Sequence, residues 1–313
     1  MYTTNNPKIY LNKIREDWIV DRFKQEFYNF NTKRTTKFIT QSDTIWIIAP
    51  WLWKNIPKKQ LKRKKVICTI HHIDESKFGF TELEEFKQRD QFVDLYHVTS
   101  KITFQKLSSV TNKKIVILPF WINENIFFSM KNTQNLRDKY NLDINQFLVG
   151  SFQRDSEGSN LLMPKLSKGP DRFVEIVDYL NSKYPNLTVV LTGWRRDYII
   201  NELTTRNIKF RYFEKIDTVS SNELYNCLDL YIVASRVEGG PMSILEAGIT
   251  RTPIISTDVG IASKILSDES IFNMNNYKNA KPNVEYAYSN SKKFTQENIN
   301  SQYLQMIDSV HEN

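Results

Sequence analysis

Short apolar runs rich in β-branched residues alternate with helical patterns along the whole chain, and this alternation restricts the possible folds more than any other feature. The apolar runs occupy 43–50, 65–70, 94–99, 114–122, 147–152, 187–193, 209–216, 228–235 and 252–258. Strands that are buried on both faces form near-continuous apolar runs of this kind. The pattern therefore predicts an α/β fold with mainly parallel sheets.

Patterns with a helical period lie between these runs, at 18–30, 81–92, 169–183, 197–206, 220–227, 242–250 and 261–267. A polar, Asn-rich segment at 120–145 divides the chain, as is typical of a domain boundary. We predict an N-terminal Rossmann-like domain over 1–122 and a C-terminal one over 123–291. A last helix, at about 292–311, is expected to return to the first domain.

The length and composition of the chain exclude several classes of protein. The chain has 313 residues, 40% of them hydrophobic, which is enough for two packed domains. No stretch approaches the ~20 apolar residues of a membrane-spanning helix, and the N-terminus lacks a secretory-signal pattern. Cys68 and Cys227 are too few for a disulfide framework or a cysteine zinc site. We expect a cytoplasmic protein whose formal charge of +8 favours acidic partners.

The segment 228–257 is the most informative part of the sequence. A buried strand runs into a loop with Gly239 and Gly240, and Pro241 is placed to begin a helix, where its missing N–H is tolerated. Glycines let the backbone approach a ligand, and the N–H groups of a helix N-terminus attract anions. Because α/β folds bind ligands at the carboxyl ends of parallel strands, we predict a diphosphate site at this loop.

Two carboxylates flank the predicted diphosphate site. Glu238 lies in the loop, and Glu246 lies in a helix among apolar residues. An unpaired buried carboxylate is costly, so Glu246 needs hydrogen-bond donors, and sugar or ribose hydroxyls are suitable. By spacing alone, an exposed helix residue and a loop surface charge explain the two glutamates at least as well.

The motif EGGPMSILEA at 238–247, followed by a threonine-proline pair and Gly260, resembles the signature of the retaining family 4 glycosyltransferases, which are group 1 glycosyltransferases of the GT-B fold. The likeness extends over about 65–310. It implies two Rossmann-like parallel-sheet domains that face each other across a cleft, with the nucleotide-sugar donor held by the C-terminal domain.

The resemblance also implies roles for individual residues of this motif. It places the ribose hydroxyls on Glu246 and the hydroxyls of the donor sugar on Glu238. The amides of Gly239 and Gly240, next to Pro241, are expected to meet the sugar and the phosphate.

Relatives in this family also hold the donor diphosphate with an arginine and a lysine. Lys168, before Gly169, matches the lysine. Ser151, after Gly150, stands where the arginine usually is, and Arg154 is the candidate to replace it. Two cations beside a diphosphate leaving group stabilise the charge that develops as the glycosidic bond breaks. Without the resemblance, Lys168 also fits a solvated charge near a helix start.

In the first domain, His71 and His72 directly follow the predicted strand 65–70. The resemblance implies that His71 faces the donor sugar. A metal ion shared by both histidines is disfavoured, because adjacent residues on an extended segment point in opposite directions. A structural histidine is the alternative for each of them.

Three further residues are assigned to the donor side, and one loop to the acceptor side. Gly193 ends a predicted strand, and Tyr212 and Phe213 are expected near the base. The loop 11–18 lacks the glycine-rich sequence of many relatives, so we expect a rebuilt acceptor side. The candidates there are Lys13, Arg15 and Glu16.

These features predict transfer of a sugar from a nucleoside diphosphate sugar to an acceptor hydroxyl, with retention of configuration, in surface glycan or glycolipid synthesis. The acceptor is expected to be a glycan or a lipid-linked molecule. No cofactor or metal is expected, since no Asp-x-Asp motif occurs and cationic side chains can serve the diphosphate. The alternatives are a sugar-nucleotide epimerase on the same fold and a basic nucleic-acid-binding protein. No recognised nucleic-acid-binding motif supports the latter, so no nucleic-acid partner is expected.

Residues 51–65, WLWKNIPKKQLKRKK, combine two tryptophans with a basic run. Because Trp51 and Trp53 follow the predicted strand 43–50, we predict an acceptor-side surface at the carboxyl edge of the first sheet. Tryptophan favours membrane interfaces, and each Lys or Arg adds about 1 kcal/mol at an anionic surface. Peripheral contact with the inner face of an anionic membrane is therefore a hypothesis. Core tryptophans with solvated lysines are the alternative.

Overall fold

The structure is a computed structural model that describes residues 6–13, 19–75 and 77–312. The chain forms two compact units. Unit 1 comprises Met1–Pro119 and Asn300–Asn313, and unit 2 comprises Phe120–Ile299. Among the described residues, no helix has both the length and the apolar character needed to cross a bilayer.

Unit 1 is built on a parallel sheet. Its strands are β1 (Ile9–Leu11), β2 (Thr44–Ile47), β3 (Lys65–Ile70), β4 (Leu95–Val98) and β5 (Lys114–Ile117), and its helices are α1 (Ile19–Phe30), α2 (Lys58–Leu61), α3 (Phe80–Asp90) and α4 (Lys101–Ser108). The strands pair in the order β1-β2-β3-β4-β5, all parallel. Every residue of β2 and β4 is buried, as expected of strands covered on both faces.

Unit 2 contains a second parallel sheet. Its strands are β6 (Phe147–Ser151), β7 (Ser156–Glu157), β8 (Met163–Pro164), β9 (Leu187–Thr192), β10 (Phe210–Phe213), β11 (Leu230–Val233), β12 (Ile254–Thr257) and β13 (Ile271–Phe272). Its helices are α5 (Thr133–Lys139), α6 (Pro170–Lys183), α7 (Asp197–Thr205), α8 (Thr218–Cys227), α9 (Met242–Ile249), α10 (Ala262–Ile265) and α11 (Val284–Lys292). The main sheet has the order β10-β9-β6-β11-β12-β13, while β7 and β8 form a separate antiparallel hairpin. The predicted α/β fold with mainly parallel sheets is confirmed.

The last helical pattern, predicted at about 292–311, is interrupted. Helix α11 ends at Lys292, and a further helix, α12 (Gln296–Asp308), follows. In unit 1, the hydroxyl of Tyr303 donates to the carbonyl oxygen of Pro119 at 3.0 Å, and its ring lies 5.5 Å from that of Trp46. The final residues thus contribute to the core of unit 1.

The junction between the units differs from the sequence prediction in two ways. The strand predicted over 114–122 ends at Ile117, because Pro119 has no N–H with which to continue the ladder. The polar segment 120–145 also contains helix α5, whose Arg137 is 4% exposed and donates to the carbonyl oxygen of Cys227. Much of the predicted boundary is therefore packed into unit 2.

The segment 51–65 does not form one surface, so that prediction is wrong. Trp51 and Trp53 follow the carboxyl end of β2 in a 3-10 helix, and Trp53 is buried. The basic residues at 62–65 lead into β3 and lie at the amino edge of the same sheet, where they line an open groove of about 760 Å³ with His311. The chain between two parallel strands must cross the sheet from one edge to the other, which separates the tryptophans from the charges.

Candidate active site

The loop after β11 brings two charges into contact at the carboxyl edge of the second sheet. The Nζ of Lys168 lies 2.5 Å from Oε1 of Glu238, and the same oxygen accepts a hydrogen bond from the Ser235 hydroxyl at 3.0 Å. The Glu238 side chain is only 9% exposed and that of Lys168 is 25% exposed. A carboxylate with so little water needs these partners, so Lys168 and Ser235 hold Glu238 in a fixed position.

Backbone contacts hold the lysine loop against the glutamate loop. The N–H groups of Arg236 and Val237 both donate to the carbonyl oxygen of Ser167, at 2.8 and 3.1 Å. Gly169 adopts the left-handed conformation with a φ of 64°, and a Cβ at this position would lie 1.9 Å from the carbonyl oxygen of Ala234. Only glycine tolerates both conditions, which explains the residue after Lys168.

A bidentate ion pair closes the same two loops from the solvent side. The guanidinium of Arg236 donates to both carboxylate oxygens of Asp171, at 2.7 and 2.6 Å, and to the carbonyl oxygen of Leu166 at 3.0 Å. The Arg236 guanidinium holds the pKa of the Asp171 carboxyl below its usual value, although burial opposes this effect. The position of Lys168 is therefore set by groups on both strand–helix connections.

Glu246 lies one turn into α9 and has a tyrosine partner. The Tyr225 hydroxyl donates to its Oε2 at 3.1 Å. Burial raises the pKa of Tyr225 well above its usual value, and the neighbouring Tyr231 and Glu246 add to the shift, so the hydroxyl stays protonated and donates. Glu246 itself is half-buried. Tyr225 is one of the hydrogen-bond donors that the sequence predicted for it.

The turn before α9 differs from the prediction in detail. Pro241 precedes the helix as its N-cap residue, and Met242 is the first helical residue. Gly260, with a φ of 58°, packs on this turn, because a Cβ there would lie 2.7 Å from Cδ of Pro241 and 2.8 Å from the carbonyl oxygen of Gly239. Gly239 is buried and Gly240 is half-buried. The sequence predicted that the backbone of this turn would lie close to a ligand. Part of the turn instead packs against Gly260.

The Arg154 side chain is partly exposed to solvent, and the insertion that separates it from Lys168 in sequence is closed at its base. The Lys165 N–H donates to the carbonyl oxygen of Asp155 at 2.7 Å, and the Gln153 side chain donates to that of Lys168 at 3.0 Å. Partial burial lowers the pKa of Arg154, and the positive charge of Arg195 adds to this effect. The hairpin of β7 and β8 therefore leaves the segments of Arg154 and Lys168 side by side.

Gly150 and Ser151 are buried within β6 and contact protein groups. A Cβ on Gly150 would lie 2.2 Å from Cδ1 of Leu228, so any larger residue here would force the Leu228 side chain to shift. Ser151 is 2% exposed, and both its carbonyl oxygen and its hydroxyl accept hydrogen bonds from Arg196, at 2.6 and 3.2 Å. Neither residue presents a side chain to the Lys168–Glu238 pair.

The remaining donor-side candidates are divided between the two faces of the sheet. Phe213 packs on the face that carries Tyr225 and Glu246, whereas Tyr212 packs on the opposite face, which α6 and α7 cover. Burial raises the pKa of Tyr212 to about 12. Gly193, with a φ of 84°, follows β9 and has no atom within 4 Å of an added Cβ. Phe213 thus shares the sheet face of Tyr225, whereas Tyr212 does not.

His71 belongs to unit 1 and follows β3. Its Nε2 lies 2.8 Å from the carbonyl oxygen of Ile48, and since a carbonyl can only accept, this nitrogen carries the hydrogen. Burial lowers the pKa of His71 to about 4, so the ring is neutral at pH 7. Its ring lies 5.7 Å from that of Trp51, and His72 is exposed.

Two other predictions concern metals and the acceptor loop. Among the described residues, no group of three or more His, Cys, Asp or Glu side chains is placed to hold a metal ion. Lys13 is exposed, while Arg15 and Glu16 lie outside the described residues.

Several residues that support the site were not predicted from the sequence. Ser235 and Tyr225 support the two glutamates, and Arg236 with Asp171 fixes the lysine loop. Ser235 and Arg236 lie beside the glycine motif, which is a usable signal. Tyr225 and Asp171 lie on other elements, and only the fold brings them to the site.

The residues of the candidate site lie within a segment that matches a known protein family. Residues 164–302 match the family model described as glycosyl transferases group 1. This match includes Lys168, Glu238 and Glu246, and it confirms the predicted resemblance to the group 1 glycosyltransferases. No curated protein matches the chain by sequence.

Solved structures with a similar fold cover nearly the whole chain. HepE from Anabaena, crystallised with UDP and glucose, aligns with a TM-score of 0.74 at 14% identity, over 97% of this chain and all (100%) of its own. Sucrose-phosphate synthase from Thermosynechococcus elongatus aligns with a TM-score of 0.71 at 16% identity, over 96% of this chain and 81% of its own. A glycosyltransferase from Rickettsia africae has a TM-score of 0.63 at 15% identity, over 96% and 84%. The predicted GT-B fold class, with two Rossmann-like units, is confirmed.

Proposed function

We propose that the protein transfers a sugar from a nucleoside diphosphate sugar to an acceptor hydroxyl with retention of configuration. The observation that carries this proposal is the contact between Lys168 and Glu238, which lies at the carboxyl edge of a parallel sheet within the matched glycosyltransferase segment. Glu246, supported by Tyr225, supplies a second carboxylate on the helix that follows. Ribose hydroxyls on Glu246 and a diphosphate near Lys168 give each charged group a suitable partner.

The ion pair suggests how the site responds to its donor. Without ligand, Lys168 neutralises Glu238. A diphosphate carries more negative charge than one carboxylate, so it competes for the lysine and frees a Glu238 oxygen to accept hydrogen bonds from the sugar. As the glycosidic bond breaks, negative charge grows on the departing diphosphate, and Lys168 and Arg154 stabilise it. Retention of configuration follows from the family resemblance alone.

The names of similar structures suggest the first donors and acceptors to test. HepE is described in complexes with UDP, glucose and UDP-glucose, and a pneumococcal O-GlcNAc transferase in a complex with UDP and GlcNAc. We therefore propose a uridine diphosphate sugar as donor and a glycan or lipid-linked acceptor, in surface glycan or glycolipid synthesis. Cationic side chains serve the diphosphate in this proposal, without a metal ion.

A cytoplasmic location, with peripheral contact to an anionic membrane, is a further part of the proposal. The groove at 62–65 is the surface of unit 1 that would make such contact; four basic residues and His311 line it together with Asp43 and Asp94. Six basic side chains lie within 58–65, and each adds about 1 kcal/mol near an anionic surface.

An acceptor-dependent assay tests the proposed function. The protein is incubated with UDP-glucose or UDP-GlcNAc, with and without saccharide or lipid-linked acceptors, and UDP release is measured. We expect release to rise on addition of an acceptor and to fall in Glu246→Gln, while Glu285→Gln, on the exposed end of α11, serves as the control. Conversion of the donor sugar without an acceptor would show an epimerase instead. A protein that neither binds nor consumes any nucleoside diphosphate sugar would contradict the proposal.

A further inference from the structure

The loop after β9 exposes a large aromatic side chain. Trp194 is 50% exposed, whereas Trp46, Trp53 and Trp121 are all buried. In the part of the chain that the structure describes, Trp194 is the most exposed tryptophan. A tryptophan normally gains about 1.5–3 kcal/mol from burial, so an exposed one at a ligand-binding edge is a candidate contact for a partner.

The backbone of this loop is held firmly although the indole is exposed. Arg196 is fully buried and donates to Oδ2 of Asp155 at 2.8 Å and to the carbonyl oxygen of Thr192 at 2.7 Å. The carbonyl oxygen of Arg195 accepts hydrogen bonds from the N–H groups of Asp155 and Ser156. The loop is thus tied on one side to the end of β9 and on the other to the inserted hairpin.

The conformation of the loop is also unusual. Arg195 has a φ of 58° and Gly193 a φ of 84°. The left-handed conformation costs a non-glycine residue on the order of 1–2 kcal/mol. The guanidinium of Arg195 lies 5.0 Å from the centre of the Trp194 ring, within the range of a cation–π contact. Both features fix the orientation of the indole at some cost in stability.

The sheet register places this loop next to the carboxyl ends of β6 and β10. Leu191 of β9 pairs with Ser151 of β6, and Thr192 pairs with Phe213 of β10. Trp194 therefore follows a strand that ends between these two neighbours. Because adjacent strands lie about 4.8 Å apart, the loop is one strand away from β6.

The residue after β6 connects this edge with Glu246. The ring of Phe152 lies 4.8 Å from that of Tyr225, whose hydroxyl donates to Glu246. The Lys168–Glu238 pair lies toward β11, on the other side of β6. A nucleotide with its diphosphate at Lys168 and its ribose at Glu246 would extend its base toward the end of β9, where the space beside Gly193 is open.

We infer that Trp194 is the stacking surface for the nucleobase of the donor, with Arg195 against the same indole. This inference rests on the proposed function, since it takes the ligand to be a nucleoside diphosphate sugar. An aromatic side chain can stack on any nucleobase, because every base has a π-face. Trp194 therefore raises the affinity for nucleoside diphosphates over inorganic pyrophosphate and does not select the base.

Calorimetric titration of the full chain with UDP and with inorganic pyrophosphate tests this inference. Trp194→Ala should raise the Kd for UDP about 5- to 150-fold, the equivalent of about 1–3 kcal/mol, and leave the Kd for pyrophosphate unchanged. Trp194→Phe should recover most of the affinity for UDP, because phenylalanine can also stack. Leu162→Ala, which truncates an apolar side chain that is 54% exposed on the inserted hairpin, is the matched control and should leave both constants unchanged.

Tryptophan fluorescence gives a second readout that does not depend on the alanine variant folding. UDP should quench the emission of the wild-type protein, and this quenching should be lost in Trp194→Phe even though UDP still binds.

The possible outcomes separate this inference from the proposed function. An unchanged Kd for UDP in Trp194→Ala overturns the inference alone, as does an equal loss of affinity for UDP and pyrophosphate. A wild-type protein that binds no nucleoside diphosphate contradicts the proposed function as well. If Trp194→Ala binds UDP normally but sediments less with anionic lipid vesicles, the indole serves a membrane surface and the inference is wrong.

Discussion

Replacing Arg196 with methionine should destabilise unit 2 strongly, because it removes one half of a buried ion pair. The side chains of Arg196 and Asp155 are 0% and 2% exposed, and their Nε–Oδ2 distance is 2.8 Å. Arg196 also donates to the carbonyl oxygens of Ser151 and Thr192. Burial raises the pKa of Asp155, and the Arg196 guanidinium beside it opposes this rise.

The expected loss follows from these contacts. Removing one partner of a buried pair costs about 3–5 kcal/mol, since the other charge remains without compensation. Because both side chains are essentially inaccessible to water, solvent does not screen this pair. The double variant Arg196→Met with Asp155→Asn removes both charges and should recover part of the loss. We expect a coupling energy on the order of 2–3 kcal/mol between the two positions.

Hydrogen exchange followed by mass spectrometry over a urea series is the appropriate assay. Peptides from β6 and β9 report on unit 2, while peptides from β2 and β4 report on unit 1 and serve as an internal control. Such local measurements do not require the two units to unfold together. A loss below about 1 kcal/mol in Arg196→Met, or additive effects within about 0.5 kcal/mol in the cycle, would refute the reasoning.

Three further predictions follow from the structure. Gly169→Ala should lower both the melting temperature and the affinity for UDP, because its Cβ would lie 1.9 Å from the carbonyl oxygen of Ala234. Gly193→Ala has no atom within 4 Å of the added Cβ and should cost only about 1 kcal/mol of conformational strain. The free energy of unfolding should fall as the pH drops from about 6.5 toward 4. Burial lowers the pKa of His97 to about 4, so in this range only the unfolded state binds a proton at this residue. The loss of stability is up to about 1.4 kcal/mol per pH unit. Urea midpoints at pH 7.5 and 5 check this, with a smaller difference expected in His97→Gln. Turnover should persist in excess EDTA, and abolition that Mg²⁺ or Mn²⁺ reverses would show that the diphosphate needs a metal.

The local sequence pattern was sufficient to predict most of the parallel strands. The predicted run 187–193 became β9 and the run 65–70 became β3, each within a residue, because buried parallel strands need continuous apolar residues. The short strand β1 and the two-residue β13 were missed. Segments so short have no usable period, and their pairing depends on neighbours that are distant in sequence.

The charged residues of the candidate site were predicted from the sequence, but the contacts between them were not. Glu238, Glu246 and Lys168 were found from the motif, but the 2.5 Å contact between Lys168 and Glu238 depends on how two strand–helix connections lie against each other. The same holds for Tyr225, which reaches Glu246 from another helix. Trp194 was not singled out at all, because a lone tryptophan in sequence is more often part of a core.

The measurement that tests the central claim most directly is calorimetric titration of UDP into the wild-type protein, Glu246→Gln and Lys168→Ala. We expect the wild type to bind UDP more tightly than inorganic pyrophosphate. Glu246→Gln should weaken UDP binding by about 1–3 kcal/mol, since an amide accepts hydroxyl hydrogen bonds less strongly than a carboxylate, and should leave pyrophosphate binding unchanged. Lys168→Ala should weaken both ligands. Undiminished affinity for UDP in both variants, with each variant folded, would contradict the assignment of this site to the sugar-nucleotide donor.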